Sequence, residues 1–299
     1  MLSFRGCYTA IVTPFTSDGS SVDFDRLDEQ IRFQAHGGVT GIVPCGTTGE
    51  SPTLSEIEHC EVVERAISVG KPLGLHVIAG AGSNNTAHAV HLHRFAASSG
   101  ADGALQVNPY YNKPSQEGLY RHFMTIADSA DLAIVLYNIP GRTGVALAPS
   151  TVQRLAAHPN IRAIKEATGS LDSASDILSR CDILLLSGDD SMTLPLASVG
   201  GVGVVSVVSN ILPGEVQALC NAFLNDHWLK ARALHRELFS LCRGLLSLDT
   251  NPIPIKCAME QLGRDSGSLR LPMCRGADTM AATVRDLLAK AGLRATASV

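Results

Sequence analysis

One lysine stands where a buried amine could carry out chemistry. Lys165 ends the apolar run IRAIK, and the chain contains only five other lysines. An ammonium group is costly to bury without a partner, so an apolar setting favours the neutral amine, which can attack a carbonyl carbon and form a Schiff base. The structural alternative is a lysine that reaches the rim of the fold and pairs with Glu166.

Other chemically useful side chains end neighbouring apolar runs. Tyr137 lies near the end of the run before that of Lys165. Thr47 and Thr48 lie in the turn GTTGE, and Arg142 lies in the loop PGRTG. Hydroxyl groups can relay protons, a glycine-flanked turn can hold a carboxylate, and a guanidinium can bind a carboxylate through two hydrogen bonds. Each feature alone could be a core ring, a plain turn or a solvated charge, but together they indicate Schiff-base chemistry on a small ketone that carries carboxylates.

Eight short apolar runs position these residues, and amphipathic segments separate the runs. The runs are CYTAIVT (7–13), GIVPC (41–45), LGLHVIAG (73–80), GALQVN (103–108), AIVLYN (133–138), IRAIK (161–165), DILLLSG (182–188) and GVGVVSV (201–207). This strand–helix alternation predicts an α/β fold, a (β/α)8 TIM barrel with its reactive groups at the C-terminal ends of the strands. A doubly wound open sheet is the alternative, and it is less favoured because no G-x-G-x-x-G follows the first run.

The pattern changes after residue 225 or so. The stretch DHWLKARALHRELFSLCRGLLSL predicts one long helix, and NPIPIKCAMEQLG and DTMAATVRDLLAKAGL predict two more. We therefore expect a barrel catalytic domain over residues 1–224 and a C-terminal helical annex over residues 225–299. Within the barrel, Ser55 followed by Glu58 has the pattern of a capping box and predicts a helix start.

Composition limits the possible partners. The chain has 299 residues, of which 45% are hydrophobic and 17% charged, with a formal net charge of −4. No basic run predicts a nucleic-acid or membrane-surface partner, no apolar run is long enough to span a bilayer, and the N-terminus lacks the apolar core of a signal peptide. The eight cysteines form no C-x-x-C pair, so we expect reduced thiols in a cytoplasmic protein. We expect no metal site, and we interpret the cluster His88, His91 and His93 as one face of a helix.

Six motifs carry a resemblance to a known family. They are GTTGE, NPYYNKPSQEGLYRHF, YNIPGRTG, IKEATG, SGDD and NPIPIK, in this order. Together they resemble the dihydrodipicolinate synthase family, within the wider group of class I pyruvate aldolases that includes N-acetylneuraminate lyase. The resemblance runs from about residue 3 to about residue 293, and it implies a (β/α)8 barrel with a helical annex, assembled as a dimer of dimers.

The resemblance implies catalytic roles for four residues. Lys165 would form the Schiff base with pyruvate, so no separate cofactor is expected. Tyr137, Thr47 and Tyr111 would relay protons, and Tyr111 would reach into the site of a neighbouring subunit. The second substrate would be (S)-aspartate 4-semialdehyde, and the product would be 4-hydroxy-tetrahydrodipicolinate, on the route to diaminopimelate and lysine.

The resemblance also implies binding roles. Thr48 would bind the pyruvate carboxylate and Arg142 the carboxylate of the semialdehyde, while Gly188 and Val205 would line the site through main-chain groups. Many members of the family are inhibited by lysine in a cleft between subunits. The matching positions are Ser51, Glu56, His59, Asn84, His88 and Tyr110. Because Glu56 and His88 stand where lysine-sensitive members typically have His and Glu, we expect weak or absent inhibition.

Two other functions compete with this interpretation. A sibling aldolase acting on a sugar acid, of the N-acetylneuraminate or keto-deoxy-gluconate type, would keep Lys165 and Tyr137 but change the contacts to the second substrate. Thr47, the Tyr110-Tyr111 pair and the RTG sequence favour the dicarboxylate reaction. A barrel without catalysis, used for binding or regulation, would be expected to have lost its relay hydroxyls, and all of them are present.

Overall fold

Eight parallel strands form a closed barrel in the computed structural model, which describes residues 4–295. The strands are β1 (Gly6–Thr9), β2 (Gly41–Ile42), β3 (His76–Gly80), β4 (Gly103–Val107), β5 (Ile134–Asn138), β6 (Ile161–Glu166), β7 (Leu184–Ser187) and β8 (Gly203–Ser206). They pair in sequence order, and β8 closes on β1. The (β/α)8 prediction is therefore confirmed, and the open-sheet alternative is wrong.

Most of the strands are shorter than the apolar runs that predicted them. β1 covers four residues and β2 only two, although both runs continue as buried chain. In the second run the chain leaves the ladder before Cys45, whose φ of 54° is incompatible with a strand. An apolar run indicates that a segment is buried, but not that its backbone pairs with a neighbouring strand. Here the residues after the strands are buried because they lie at the barrel mouth.

Twelve α-helices complete the fold within residues 4–295. They are α1 (Phe24–His36), α2 (Glu56–Gly70), α3 (Thr86–Ser98), α4 (Gln116–Ala127), α5 (Pro140–Thr143), α6 (Pro149–Leu155), α7 (Leu171–Arg180), α8 (Thr193–Ser198), α9 (Pro213–Leu224), α10 (Trp228–Leu248), α11 (Ile253–Gln261) and α12 (Asp278–Lys290). The predicted capping box is present at the start of α2, where Ser55 Oγ accepts from the Glu58 N–H at 3.2 Å. None of the described helices has the length and apolar character that crossing a membrane requires.

The apolar core lies in two layers. One layer fills the barrel and includes Tyr8, Ile78, Val135 and Leu186, all essentially inaccessible to solvent. The other layer lies between the strands and the surrounding helices. Because apolar side chains fill the barrel, the polar groups that can meet a small molecule lie at the C-terminal strand ends and in the loops after them, which is where a barrel of this kind places its chemistry.

Helices α10–α12 form the C-terminal annex, and polar contacts attach it to the barrel. Lys256 of α11 forms an ion pair with Glu50 at 2.7 Å, and both side chains are almost completely buried. Arg270 pairs with Glu58 at 2.6 Å, and Gln30 donates to the carbonyl of Arg264. The division into domains at residues 1–224 and 225–299 stays a prediction.

Candidate active site

A cavity of about 580 Å³ opens at the C-terminal ends of the barrel strands. Loops after the strands line it on one side and the annex on the other. Its lining residues are Ala10, Val43, Gly46, Thr47, Thr48, Leu105, Tyr137, Ile139, Gly141, Arg142, Lys165, Ala167, Gly188, Asp189, Val207, Arg243, Leu246, Ser247, Asp249, Thr250 and Asn251. Six of the eight residues predicted for catalysis and substrate binding are therefore brought together in one cavity.

Lys165 is buried at the floor of this cavity. It pairs in register with Tyr137 on β5, and its Nζ lies 4.1 Å from the centroid of the Tyr137 ring. Only 5% of Lys165 is exposed, and its amine makes no hydrogen bond or ion pair within residues 4–295. An amine that faces an aromatic ring and an open cavity, without a carboxylate partner, is placed to react with a ligand carbonyl.

Glu166 does not pair with the neighbouring lysine. Its carboxylate is buried on the other side of β6, where it accepts from Asn138 Nδ2 at 3.0 Å and from the Thr168 N–H at 2.9 Å. Successive side chains of a strand point to opposite faces, which separates the two residues despite their adjacency. The rim ion pair considered as the structural alternative for Lys165 is thus not formed, and Glu166 instead joins the ends of β5 and β6.

The GTTGE turn holds two hydroxyl groups and two free amides at the cavity wall. Cys45, just before the turn, and Glu50, its last residue, have positive φ values of 54° and 52°, so the backbone between them is tightly curved. Backbone bonds from Gly49 and Ser51 to the carbonyl of Gly46 close the turn. The N–H groups of Thr47 and Thr48 have no acceptor in the described part of the chain, which leaves them available to an anion.

Asn251, which sequence reasoning missed, connects the annex to two of the predicted binding residues. Its Nδ2 donates to Thr48 Oγ1 at 2.9 Å, and its carbonyl accepts from Arg142 Nη2 at 3.0 Å. The annex also contributes Arg243 and Asp249 to the cavity wall. The motif NPIPIK marked this segment in the sequence, but no local signal indicated which barrel residues it would contact.

Gly188 and Val205 occupy different places relative to the cavity. Gly188 lines it, and a Cβ at this position would lie 2.6 Å from the Cβ of Ala167, so only glycine fits the close approach of the two loops. Val205 is buried in the barrel interior, paired with Tyr8, and Val207 lines the cavity instead. The role predicted for Val205, which is a main-chain one, stays a prediction.

Asp190 holds the segment after β8 against the end of β7. Its carboxylate accepts from the hydroxyl of Ser206 and from the N–H groups of Val207, at 2.9 Å, and Val208, at 3.1 Å. Burial raises the pKa of Asp190, and these hydrogen bonds oppose that shift. Asp190, the second aspartate of the SGDD motif, therefore connects two segments by hydrogen bonds and is not among the residues that line the cavity.

Tyr111 lies outside the cavity of its own chain. It is 91% exposed, with a φ of 72°, in the loop between β4 and α4. No hydrogen bond joins the hydroxyls of Tyr137 and Thr47 in residues 4–295. The three-membered proton relay implied by the family resemblance is therefore not assembled within one chain, although Tyr137 and Thr47 share the cavity.

A second cavity of about 290 Å³ contains part of the predicted effector cleft. Of the six residues, the structure places Ser51, His59, His88 and Tyr110 in its lining. Asn84 lies beside it and donates to the carbonyl of Tyr110, whereas Glu56 is not in the lining. The two cavities share Thr47, Ile139 and Arg142 as wall residues.

Two histidines of this region, His59 and His91, interact with nearby protein groups. Glu56 forms an ion pair with His91 at 3.0 Å, where both side chains are about half exposed. His59 Nε2 lies 2.8 Å from the carbonyl of Gly80, and burial lowers the pKa of its ring. His93 is buried beside Gln106. Within the described residues, no three His, Cys, Asp or Glu side chains are grouped so that they could hold a metal ion.

The chain is similar to known proteins over nearly its whole length. A model of the Dihydrodipicolinate synthetase family matches residues 3–291. The 4-hydroxy-tetrahydrodipicolinate synthase of Nitratidesulfovibrio vulgaris (strain DP4) is 47% identical over 295 residues, which cover 98% of this chain and 100% of that protein.

Solved structures agree with the sequence relatives. The dihydrodipicolinate synthase from Aquifex aeolicus superimposes with a TM-score of 0.95 and 42% identity, covering 98% of this chain and 100% of that one. A monomeric dihydrodipicolinate synthase variant superimposes with a TM-score of 0.93 and 40% identity, covering 97% of each chain. The matched family region includes every residue that lines the two cavities.

Proposed function

Because the chain belongs to the dihydrodipicolinate synthetase family, we propose that Lys165 is the amine through which it makes 4-hydroxy-tetrahydrodipicolinate from pyruvate and (S)-aspartate 4-semialdehyde. The chain is an enzyme, a lyase of the class I aldolase type, in lysine and diaminopimelate biosynthesis. One observation carries the role of Lys165: it is a buried, unpaired amine at the floor of the barrel-mouth cavity, against the ring of Tyr137.

The first half of the reaction activates pyruvate. The neutral amine of Lys165 attacks the keto carbon of pyruvate, and loss of water gives an imine. The protonated imine withdraws electrons, so a proton leaves the methyl group and an enamine forms. Tyr137, whose hydroxyl makes no hydrogen bond in the described residues, is the side chain beside Lys165 that can move this proton.

The second half joins the two substrates. The enamine carbon attacks the aldehyde of the semialdehyde, forming the new carbon–carbon bond, and the resulting alkoxide takes up a proton. The amino group of the semialdehyde then attacks the imine carbon and displaces Lys165. This step closes the ring and returns the amine, so the overall reaction converts the two substrates into the hydroxy product and one water.

The cavity offers hydrogen-bond donors that suit substrates carrying carboxylates. The guanidinium groups of Arg142 and Arg243 belong to its lining, as do two aspartates, Asp189 and Asp249. The free N–H groups of Thr47 and Thr48 and the Thr48 hydroxyl would hold the pyruvate carboxylate close to Lys165. Arg142 lies nearer the opening and would bind the carboxylate of the semialdehyde through two N–H groups.

Tyr111 would complete the site of a neighbouring subunit. Its side chain is 91% exposed and its backbone has a positive φ, a strained conformation that is often found at functional sites. The proposal therefore includes a homodimer as the smallest active unit, and a dimer of dimers as the full assembly. Mixing an inactive Lys165→Met protein with an inactive Tyr111→Phe protein should restore part of the activity, because hybrid dimers contain one intact site.

Reductive trapping tests the role of Lys165. Borohydride treatment in the presence of pyruvate, followed by peptide mass spectrometry, should give a reduced pyruvyl adduct on Lys165. The Lys165→Met variant should give no adduct and no turnover, whereas Lys230→Met, which removes an exposed lysine, should behave as the wild type. An adduct on another lysine in the wild type would contradict the proposal.

Substrate choice separates this function from the sugar-acid aldolases. The relatives reported above favour the synthase. Wild-type enzyme should turn over aspartate semialdehyde with pyruvate and should not cleave N-acetylneuraminate. Cleavage of the sugar acid at a comparable rate would point to the sibling reaction on the same lysine.

Weak or absent inhibition by lysine is also part of the proposal. The second cavity presents His59 and His88 but no carboxylate from its six predicted residues, because Glu56 pairs with His91 instead. An amino-acid effector with an ammonium group therefore lacks an anionic partner there. A coupled assay should show little effect of lysine, and inhibition at sub-millimolar lysine would overturn this expectation.

A further inference from the structure

Asn251 is the residue of the annex that contacts both carboxylate-binding groups of the cavity. It lies between α10 and α11, far from the barrel loops in sequence. Its side chain reaches Thr48 and its main chain reaches Arg142, at 2.9 and 3.0 Å. The annex therefore has a direct path to the two residues that would hold the two substrates.

The contact with Thr48 determines how its hydroxyl can be used. A hydroxyl has one hydrogen to donate and two lone pairs. One lone pair of Thr48 Oγ1 is occupied by the Asn251 amide, and the hydroxyl donates to no acceptor in residues 4–295. The hydrogen is thereby directed away from Asn251, and a ligand carboxylate in the cavity is the acceptor left for it.

The contact with Arg142 limits the motion of a long, exposed side chain. Its bond to the Asn251 carbonyl is the hydrogen bond that the guanidinium makes within the described residues. This bond occupies Nη2 and leaves the other N–H groups for a carboxylate. An arginine held at one corner loses less conformational freedom when it binds its ligand.

A purely structural role does not account for the side chain of Asn251. Its Oδ1 is buried and has no hydrogen-bond partner among the described residues. A buried acceptor without a partner destabilises the folded state. The bond from Nδ2 to Thr48 is thus the one hydrogen bond that the Asn251 side chain makes in the described residues.

We propose that Asn251 is a positioning residue that sets Thr48 as a hydrogen-bond donor to the pyruvate carboxylate and anchors Arg142 beside the second carboxylate. This inference rests on the proposed function, because it assumes that Thr48 binds pyruvate. The annex thereby takes part in substrate binding through one side chain. Asn251 donates the hydrogen bond and Thr48 Oγ1 accepts it, so the Thr48 hydroxyl hydrogen is left for the substrate.

The central test is a double-mutant cycle between Asn251→Ala and Thr48→Val. Asn251→Ala should raise the KM for pyruvate roughly tenfold, as expected if the Thr48 hydroxyl loses its hydrogen bond to the pyruvate carboxylate, with a smaller effect on kcat. In the Thr48→Val background the same substitution should have little further effect on this KM, because its target hydroxyl is gone. Asn225→Ala, at an exposed position of the annex, is the matched control and should leave both constants unchanged.

Two further measurements keep the outcomes distinct. Thermal melting of Asn251→Ala should stay close to that of the wild type, because the substitution removes one side-chain hydrogen bond together with a buried acceptor that has no partner in the described residues. If that variant does not fold, Asn251→Asp serves instead, since it has the same shape but cannot donate to Thr48. Independent, additive effects on the KM for pyruvate, or no effect of Asn251→Ala, would overturn the inference. Failure of wild-type enzyme to trap pyruvate on Lys165 would instead overturn the proposed function.

Discussion

The buried ion pair between Lys256 and Glu50 makes a strong prediction about stability. Lys256 Nζ bonds to Glu50 Oε1 at 2.7 Å, and also to the carbonyls of Thr13 and Ser268 at 2.9 and 2.7 Å. The two side chains are 0% and 1% exposed. Lys256→Met keeps the length and the apolar stem of the side chain but leaves the charge of Glu50 buried without its counter-ion.

The expected loss follows from the kind of interaction that is broken. Removing one partner of a buried ion pair costs about 3–5 kcal/mol, because the remaining charge is not compensated. For 299 residues, a cooperative transition with the usual unfolding entropy per residue would show this as a fall in Tm of roughly 6 °C. Because Glu50 ends the GTTGE turn that holds Thr47 and Thr48, the KM for pyruvate should rise as well.

Calorimetry on three variants tests this reasoning. Lys256→Met should show the full loss, and Lys230→Met should melt within about 1 °C of the wild type because exposed substitutions have small effects. The double variant Lys256→Met/Glu50→Gln should recover at least half of the loss, since it removes the orphaned charge. The reasoning is refuted if Lys256→Met melts like the wild type, or if the double variant is as unstable as the single one.

Three other predictions concern catalysis and pH. Tyr137→Phe keeps the ring that faces Lys165 but removes the hydroxyl, so kcat should fall by about 10²–10⁴ in steady-state assays. Arg142→Lys keeps the charge but not the fork, so the KM for the semialdehyde should rise about tenfold, with the KM for pyruvate little changed. Hydrogen bonding from Arg270 lowers the pKa of Glu58 from 4.5 to about 2. The extra stability of the wild type relative to Glu58→Gln should therefore be fully present above pH 4.5 and should be lost as the pH falls towards 2. Thermal melting of both proteins across that range would measure this difference.

Specific results would contradict each of these three predictions. A Tyr137→Phe enzyme with wild-type kcat would show that another group moves the proton. An equal rise in both KM values for Arg142→Lys would indicate a general change of the cavity rather than loss of one carboxylate contact. A stability difference for Glu58→Gln that grows as the pH falls would have the wrong sign for a carboxylate with a lowered pKa.

Local patterns in the sequence determined the architecture and the floor of the site. Eight apolar runs that alternate with amphipathic segments predict a closed parallel barrel. A strand buried on both faces is a continuous apolar run, and such a run can be recognised without knowing its neighbours. The ends of parallel strands meet at one edge, so a lysine at the end of the sixth run had to lie beside the tyrosine of the fifth. The register of Lys165 with Tyr137 agrees with that argument.

Pairing of polar groups across long stretches of chain was decided only by the tertiary structure. Asn251 and Thr48 are 203 residues apart, and Lys256 and Glu50 are 206 apart. No periodicity or capping signal links such positions, since their contact depends on how the annex packs over the barrel mouth. The same holds for Glu56, which pairs with His91 rather than lining the second cavity. Burial is encoded residue by residue along the chain, whereas the partner of a buried polar group is set by the packing of elements that lie far apart in sequence.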